Sequence, residues 1–277
     1  MNVIQSFYTN ANDFVIFCQA TYFTLSCLYA KQIGIDITLF TDRTFGEVVY
    51  PYNKIDYVFE NINAPNIDPL VWAWPKFIAL DHCNRDTIHI DGDVFLQKHL
   101  CKQILTNINC DVLVQSQEQF QEHNDAWIST FEQIKHLNFP EWIEKETPKT
   151  MPNNGILCVK NEKLWDDYKK LYWSMVEQCI PGFITANGFC VPDIIFEQSF
   201  LEKLCEKDNY NIQYLFGTDE KEISIKSKLF GYSHICSGKK SLLKYTLKVI
   251  KSLDFKSWEC LFSNFGFMFS EYFDECK

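Results

Sequence analysis

The sequence predicts an α/β fold: a mainly parallel central sheet flanked by helices, with a second half fused to it. Three observations lead there. Over the first hundred residues, short β-branched and aromatic runs alternate with helical stretches, the pattern of βαβ units. Apolar residues make up 47% of 277, with 24 Phe and 13 Tyr, enough for a substantial core. Gly and Pro are scarce, at 10 and 9, and no repeat or low-complexity linker appears, which argues against disordered or fibrous classes.

The elements follow in order. "NVIQSFYT" (2–9) reads as a strand. A helix follows from near Asp13 to Gln32, with Gly34 placed to end it. "DITLFTD" (36–42) and "IDYVFENI" (55–62) are the next strands. A helix from Pro75 to His82 leads into the strand "TIHID" (87–91). In the second half, "DVLVQSQ" (111–117) is a strand and a helix covers about 125–137. "ETPKTMPNN" (146–154) is a loop, "GILCVK" (155–160) a strand, and 161–179 a helix. Another helix begins near Pro192, a good first-turn residue, and reaches Glu206. "IQYLF" (212–216) is a strand, and "GYSHICSGKK" (231–240) a turn-rich loop before a basic helix at 240–253. An aromatic tail closes the chain. The expected organisation is thus a first half at 1–100, a second at 101–253 and a tail at 254–277.

Composition excludes several functions. The formal net charge of −10 offers no field for nucleic acid, and only Arg43 and Arg85 are arginines. The 12 cysteines are scattered singly, with neither a CxxC pair nor zinc spacing; we read them as small core residues of a protein in a reducing cytoplasm. Met1–Gln5 lacks the basic start of a signal peptide. Residues 14–30 are apolar but interrupted by Gln19, Thr21, Thr24 and Ser26, which suits a buried helix better than a membrane span.

The chemistry concentrates at Asp91-Gly92-Asp93. Two carboxylates this close repel unless a cation lies between them, which favours a hard divalent ion. Gly92 lets the backbone turn tightly around it. Asp-Gly turns are common on surfaces, so a solvated turn is the plain alternative. The apolar strand before the motif tips the balance, because parallel sheets bind ligands beyond the carboxyl ends of their strands.

"TIHIDGDVFL", preceded by "WPKFIAL", resembles the DxD region of GT-A glycosyltransferases, in particular the glycogenin- and galactosyltransferase-like group and its bacterial relatives. "NNGILCVKN" (153–161) resembles the strand lining the sugar site of that group. "HICSGKK" (234–240) resembles its C-terminal HxxGxxK stretch, although three residues here separate His234 from Gly238 and the lysines follow directly. The resemblance implies a GT-A, Rossmann-like fold and a nucleotide-diphosphate sugar donor. It also implies Mn2+ or Mg2+ held by Asp91, Asp93 and His234, with Lys239 or Lys240 on the donor diphosphate.

Several residues carry two readings each. His234 is either a metal ligand or a loop histidine. Gly238, Lys239 and Lys240 offer backbone N–H groups and cations to a phosphate. Lys76 either reaches donor phosphates or is a surface lysine at a helix start. Trp72 and Trp74 suit core or rim positions better than sugar platforms. Thr9 and Asp42 close the first two strands, where they meet a ribose or serve as turn and cap residues. Asn153 and Asn154 bind sugar hydroxyls or form a turn. Asp193 and Glu197, four apart on one helix face, offer a general base, or Asp193 simply complements its helix dipole.

The leading expectation is a metal-dependent glycosyltransferase acting on an acceptor hydroxyl of a glycan or lipid-linked glycan. By resemblance it is retaining; were it inverting, Asp193 or Glu197 would be the base. The alternatives are a non-catalytic binding protein of GT-A type and a HAD-type phosphatase. The latter wants its DxD on the first strand and Thr or Val where Phe95 stands. The aromatic tail reads as a helix closing the core. Its alternative, with the lysines from Lys239 to Lys256, is peripheral contact at the inner face of the membrane.

Overall fold

A computed structural model describes residues 1–9, 13–49, 52–61, 66–68, 71–119, 131–143, 148–182 and 192–234. Its contacts divide the chain into two compact units. The first comprises the described residues within Met1–Ile62, Ile90–Thr106 and Leu229–Lys277; the second those within Asn63–His89 and Asn107–Lys228.

In the first unit, β1 (Asn2–Phe7), β2 (Ile37–Thr41) and β3 (Lys54–Asp56) run parallel in the order β3-β2-β1. The helix α1 (Asp13–Gln32) joins the first two strands and supplies most of this unit's core, from Ile16 and Phe17 to Phe23 and Leu25. Phe7, Phe23 and Phe45 meet as an aromatic trio, with centroids 4.2–5.6 Å apart. α1 ends as its sequence dictates. Gly34 takes φ +74°, and the Ile35 N–H donates back to the Ala30 carbonyl at 2.9 Å. The polar interruptions of α1 are accommodated: Thr21 Oγ1 donates to the Phe17 carbonyl one turn back. A short helix α2 (Arg43–Gly46) follows β2. The third strand is shorter than expected, because Val58–Asn61 winds into a 3-10 turn.

The same unit holds a small antiparallel pair, β5 (Val94–Leu96) with β9 (Tyr232–His234), and the helix α4 (His99–Leu105). Neither strand is apparent in the sequence, where 231–240 reads as a loop. Each is three residues long, and the pairing joins positions far apart in the chain.

The second unit holds α3 (Trp74–Asp81) and β4 (Thr87–Ile90), whose last residue belongs to the first unit. Then come β6 (Val112–Gln119), β7 (Thr150–Val159) and α5 (Glu162–Val176). A π-helical segment, Ile194–Ser199, precedes α6 (Phe200–Asp208), β8 (Ile212–Tyr214) and α7 (Glu220–Phe230). Strand order here is β4-β7-β6-β8, with β6 parallel to β8 and antiparallel to β7. The expected loop at 146–154 is in large part strand. β7 starts at Thr150 and pairs with β6 through Pro152 and Asn153, across a β-bulge between Val114 and Ser116. Aromatic packing anchors α3 to α5: Phe77 stacks on Tyr172 at 3.7 Å between centroids, and Trp165 flanks it. The class is the expected one, α/β with mainly parallel strands and helices against them. No described helix is long and apolar enough to cross a membrane. The expected helix at 240–253 and the tail lie outside the described residues, as do residues 125–130 of the helix expected at 125–137.

Candidate metal centre

β4 is buried at every position and delivers Asp91 at its carboxyl end. There the chain turns. The Val94 N–H donates to the Asp91 carbonyl at 3.1 Å, closing a tight turn with Gly92 and Asp93 at its centre. Gly92 is required by space. A Cβ on it would lie 1.9 Å from Cε2 of Phe23, whose ring packs down from α1. β5 leaves the turn and pairs with β9 so that Val94 faces His234. This register brings the imidazole to Asp93, with His234 Nε2 3.2 Å from Asp93 Oδ1.

A carboxylate oxygen from each of Asp91 and Asp93 and a ring nitrogen of His234 all lie within 4.8 Å of one another. Donors bound at about 2.1 Å to one ion stand roughly 3–4 Å apart, so the three reach a shared cation after small side-chain adjustments. Two hard oxygens and one imidazole nitrogen suit Mn2+ as well as Mg2+. All three side chains are partly exposed, which leaves coordination positions open to a substrate.

Behind the turn lies a set of polar residues that sequence reasoning missed. Gln5 of β1 and Ser26 of α1 are fully buried. Gln5 Nε2 donates to the Asp91 carbonyl at 3.1 Å and to Ser26 Oγ at 2.8 Å. Ser26 Oγ donates to the Val94 carbonyl at 2.5 Å. Gln5 Oε1 accepts from the Tyr52 hydroxyl. The available signal was a polar residue at a core position of an apolar strand or helix, as Ser26 is within the run 14–30.

Two other strand-end residues are joined to each other. Asp42 caps α2, Oδ1 accepting from the Phe45 N–H at 3.1 Å, while Oδ2 accepts from the Thr9 N–H at 2.6 Å. Gly238, Lys239 and Lys240 lie outside the described residues.

The second unit gathers the remaining candidates around a buried ion pair. Lys76, on α3, is 3% exposed, so it is no surface lysine. Its Nζ lies 2.8 Å from Glu197 Oε1 and donates to the Asn154 carbonyl at 3.1 Å. Asn154 Nδ2 in turn donates to the Glu197 carbonyl at 3.0 Å, and the Tyr168 hydroxyl donates to that carbonyl too. Asn153, one residue earlier on β7, bonds Glu118 Oε1 at 2.5 Å and accepts from the Gly155 N–H. Asp193 acts on a helix other than its own. Its Oδ2 accepts from the backbone N–H groups of Trp72 and Ala73, at the start of α3, and its Oδ1 from the Tyr172 hydroxyl at 2.9 Å. Burial nevertheless dominates and pushes the Asp193 carboxyl up to about 7. Trp74 is core, whereas Trp72 is exposed.

Residues 1–261 match the model of a family of unknown function, DUF6734. The chain belongs to that family. No curated protein matches this DUF6734 sequence. Among solved structures it is similar to the galactosyltransferase LgtC in complex with donor and acceptor sugar analogs, at 12% identity, 94% of this chain, 100% of that one and TM-score 0.45. A glycosyltransferase involved in glycosylation of the major capsid of PBCV-1 matches at 11% identity, 89% and 100% coverage and TM-score 0.43. The 4-diphosphocytidyl-2C-methyl-D-erythritol synthase of Anaerococcus prevotii matches at 11%, 90% and 96%, with TM-score 0.41. At these values the functional reading of the DUF6734 chain is carried by its own site residues.

Proposed function

We propose that this DUF6734 protein is a metal-dependent glycosyltransferase that moves a sugar from a nucleotide-diphosphate donor to an acceptor hydroxyl of a glycan or lipid-linked glycan. The observation that carries the reading is the convergence of Asp91, Asp93 and His234 at the carboxyl end of β4. Asp91 and Asp93 supply the charge that holds Mn2+ or Mg2+, and His234 adds a neutral donor. When bound, such a cation supplies Lewis-acid stabilisation of the departing diphosphate. Lys239 or Lys240, next to Gly238, shares that negative charge. Thr9 and Asp42 lie at the ends of β1 and β2, where ribose contacts belong in this class of sheet, although Asp42 already accepts two backbone hydrogen bonds.

A retaining outcome requires no protein base, and the site fits that requirement. Both carboxylate oxygens of Asp193 are already engaged, and Glu197 is paired with Lys76. Lys76, Glu197 and Asn154 are buried and bonded to one another, so no substrate contact is assigned to them. The phosphatase alternative is disfavoured because the DxD follows β4, the fourth strand among the described residues.

The deciding assay is nucleoside diphosphate release from a panel of sugar nucleotides with and without Mn2+. Release that requires Mn2+ and disappears in Asp91→Asn supports the transferase. Mn2+-dependent donor binding with no turnover of any donor would identify a binding protein instead, and phosphate release from a phosphomonoester would favour the phosphatase.

A further inference from the structure

We infer that Gln5 and Ser26 are positioning residues for the cation held by Asp91, Asp93 and His234, an inference that rests on the metal reading of that site. The hydrogen bonds that Gln5 and Ser26 make to the turn have a forced direction. The Asp91 carbonyl can only accept, so the Gln5 side chain must present its NH2 to it. The Tyr52 hydroxyl, which burial keeps protonated, lies at the opposite end of the same amide and shares its one proton between Gln5 Oε1 and the Phe23 carbonyl, 3.0 Å away. The second Gln5 N–H goes to Ser26 Oγ, which leaves the Ser26 proton for the Val94 carbonyl.

The two backbone oxygens so held, those of Asp91 and Val94, bracket Gly92 and Asp93. They are therefore the points that set where both carboxylates aim. Before a cation binds, the carboxylates repel each other, and the turn relaxes unless something anchors it from behind. Gln5 and Ser26 are themselves fully buried, in β1 and α1, so a tether on them ties the ligands to the core of this unit. An apolar pair would fill the same space with no partners to satisfy; what the polar pair adds is direction. Outer-shell hydrogen bonds of this kind typically carry about 10- to 100-fold in metal affinity.

The experiment is a Mn2+ titration, followed by electron paramagnetic resonance of the free ion, of the full-length wild type, Gln5→Met, Ser26→Ala and Asp91→Asn. Each is assayed well below its own unfolding midpoint. We expect Gln5→Met to weaken Mn2+ binding at least about 10-fold and Ser26→Ala by a smaller factor in the same direction. A merely structural role would lower the unfolding midpoint and leave the Mn2+ Kd where it was. Should Gln5→Met fail to fold, Ser26→Ala, which removes a single oxygen, decides the question. Wild-type Kd in the folded variants, with binding lost in Asp91→Asn, would overturn the inference and leave the metal site standing. Absence of Mn2+ binding by the wild type would overturn both.

Discussion

The ring of Phe23 lies against the backbone of Gly92 so closely that no side chain fits between them: a Cβ there would meet the ring at 1.9 Å. α1 therefore shapes the turn that carries both aspartates. Gly92→Ala must displace a buried ring within the Phe7–Phe23–Phe45 trio. We predict a loss of about 1–3 kcal/mol in urea unfolding, the range for overpacking a core. Phe23→Leu in the same chain should recover part of it. Additive losses in the double variant would contradict the contact.

Lys76 and Glu197 are each almost inaccessible, at 4% and 1% side-chain exposure. Removing one partner leaves an uncompensated buried charge. Lys76→Met is therefore predicted to cost about 3–5 kcal/mol. Pairing it with Glu197→Leu should cost clearly less than the sum of the two single changes. Urea unfolding of the four proteins measures this coupling. Additivity would mean that the two charges do not interact.

Asp193 makes stability depend on pH with a definite sign. Its folded-state pKa stands near 7, well above the ordinary carboxylate value of 3.8. Between those two values the unfolded chain releases a proton that the native one retains, so stability falls as pH rises. Above about pH 7 the effect is flat. Asp193→Asn should flatten this slope, by on the order of 4 kcal/mol at most between pH 4 and 8. Chemical unfolding of both proteins across that range checks it. Equal slopes would show that Asp193 is ionised throughout, held by its three hydrogen bonds.

What the sequence disclosed here divides by distance along the chain. Asp91 and Asp93 were legible because a strand end and an Asp-x-Asp spacing are local. α1 was legible to its last residues through a long apolar-rich stretch and Gly34. The partnership of His234 with Asp93 depends on β5 pairing with β9, two three-residue strands about 140 positions apart, and no local signal marks either. Asp193 looked like a first-turn acid of its own helix, yet it binds the backbone N–H groups of Trp72 and Ala73 just ahead of α3, some 120 residues earlier. The first half of β7 hid behind Pro152, Asn153 and Asn154, turn-type residues, of which Pro152 and Asn153 pair with β6. α7 buries no side chain, so it shows no apolar stripe; its marks were Asp219 capping the Glu222 N–H and the Glu222–Lys226 pair.

Five of the described cysteines should resist thiol reagents. Burial pushes the thiols of Cys27, Cys158 and Cys205 up to about 12, and those of Cys101 and Cys110 to about 11. At pH 8 the thiolate fraction is then on the order of one in a thousand or less. Peptide mapping after a short iodoacetamide pulse should find Cys83, half-buried, ahead of these five. Rapid alkylation of Cys27 or Cys158 in the native protein would contradict their placement in the core.

Equilibrium Mn2+ binding by the full-length protein tests most directly whether Asp91, Asp93 and His234 hold a cation. The prediction is one Mn2+ per chain for the wild type, no detectable binding for Asp91→Asn combined with Asp93→Asn, and binding weakened about 10-fold or more by His234→Ala. A wild type that binds no Mn2+, or a double variant that binds it with unchanged affinity, would contradict the account.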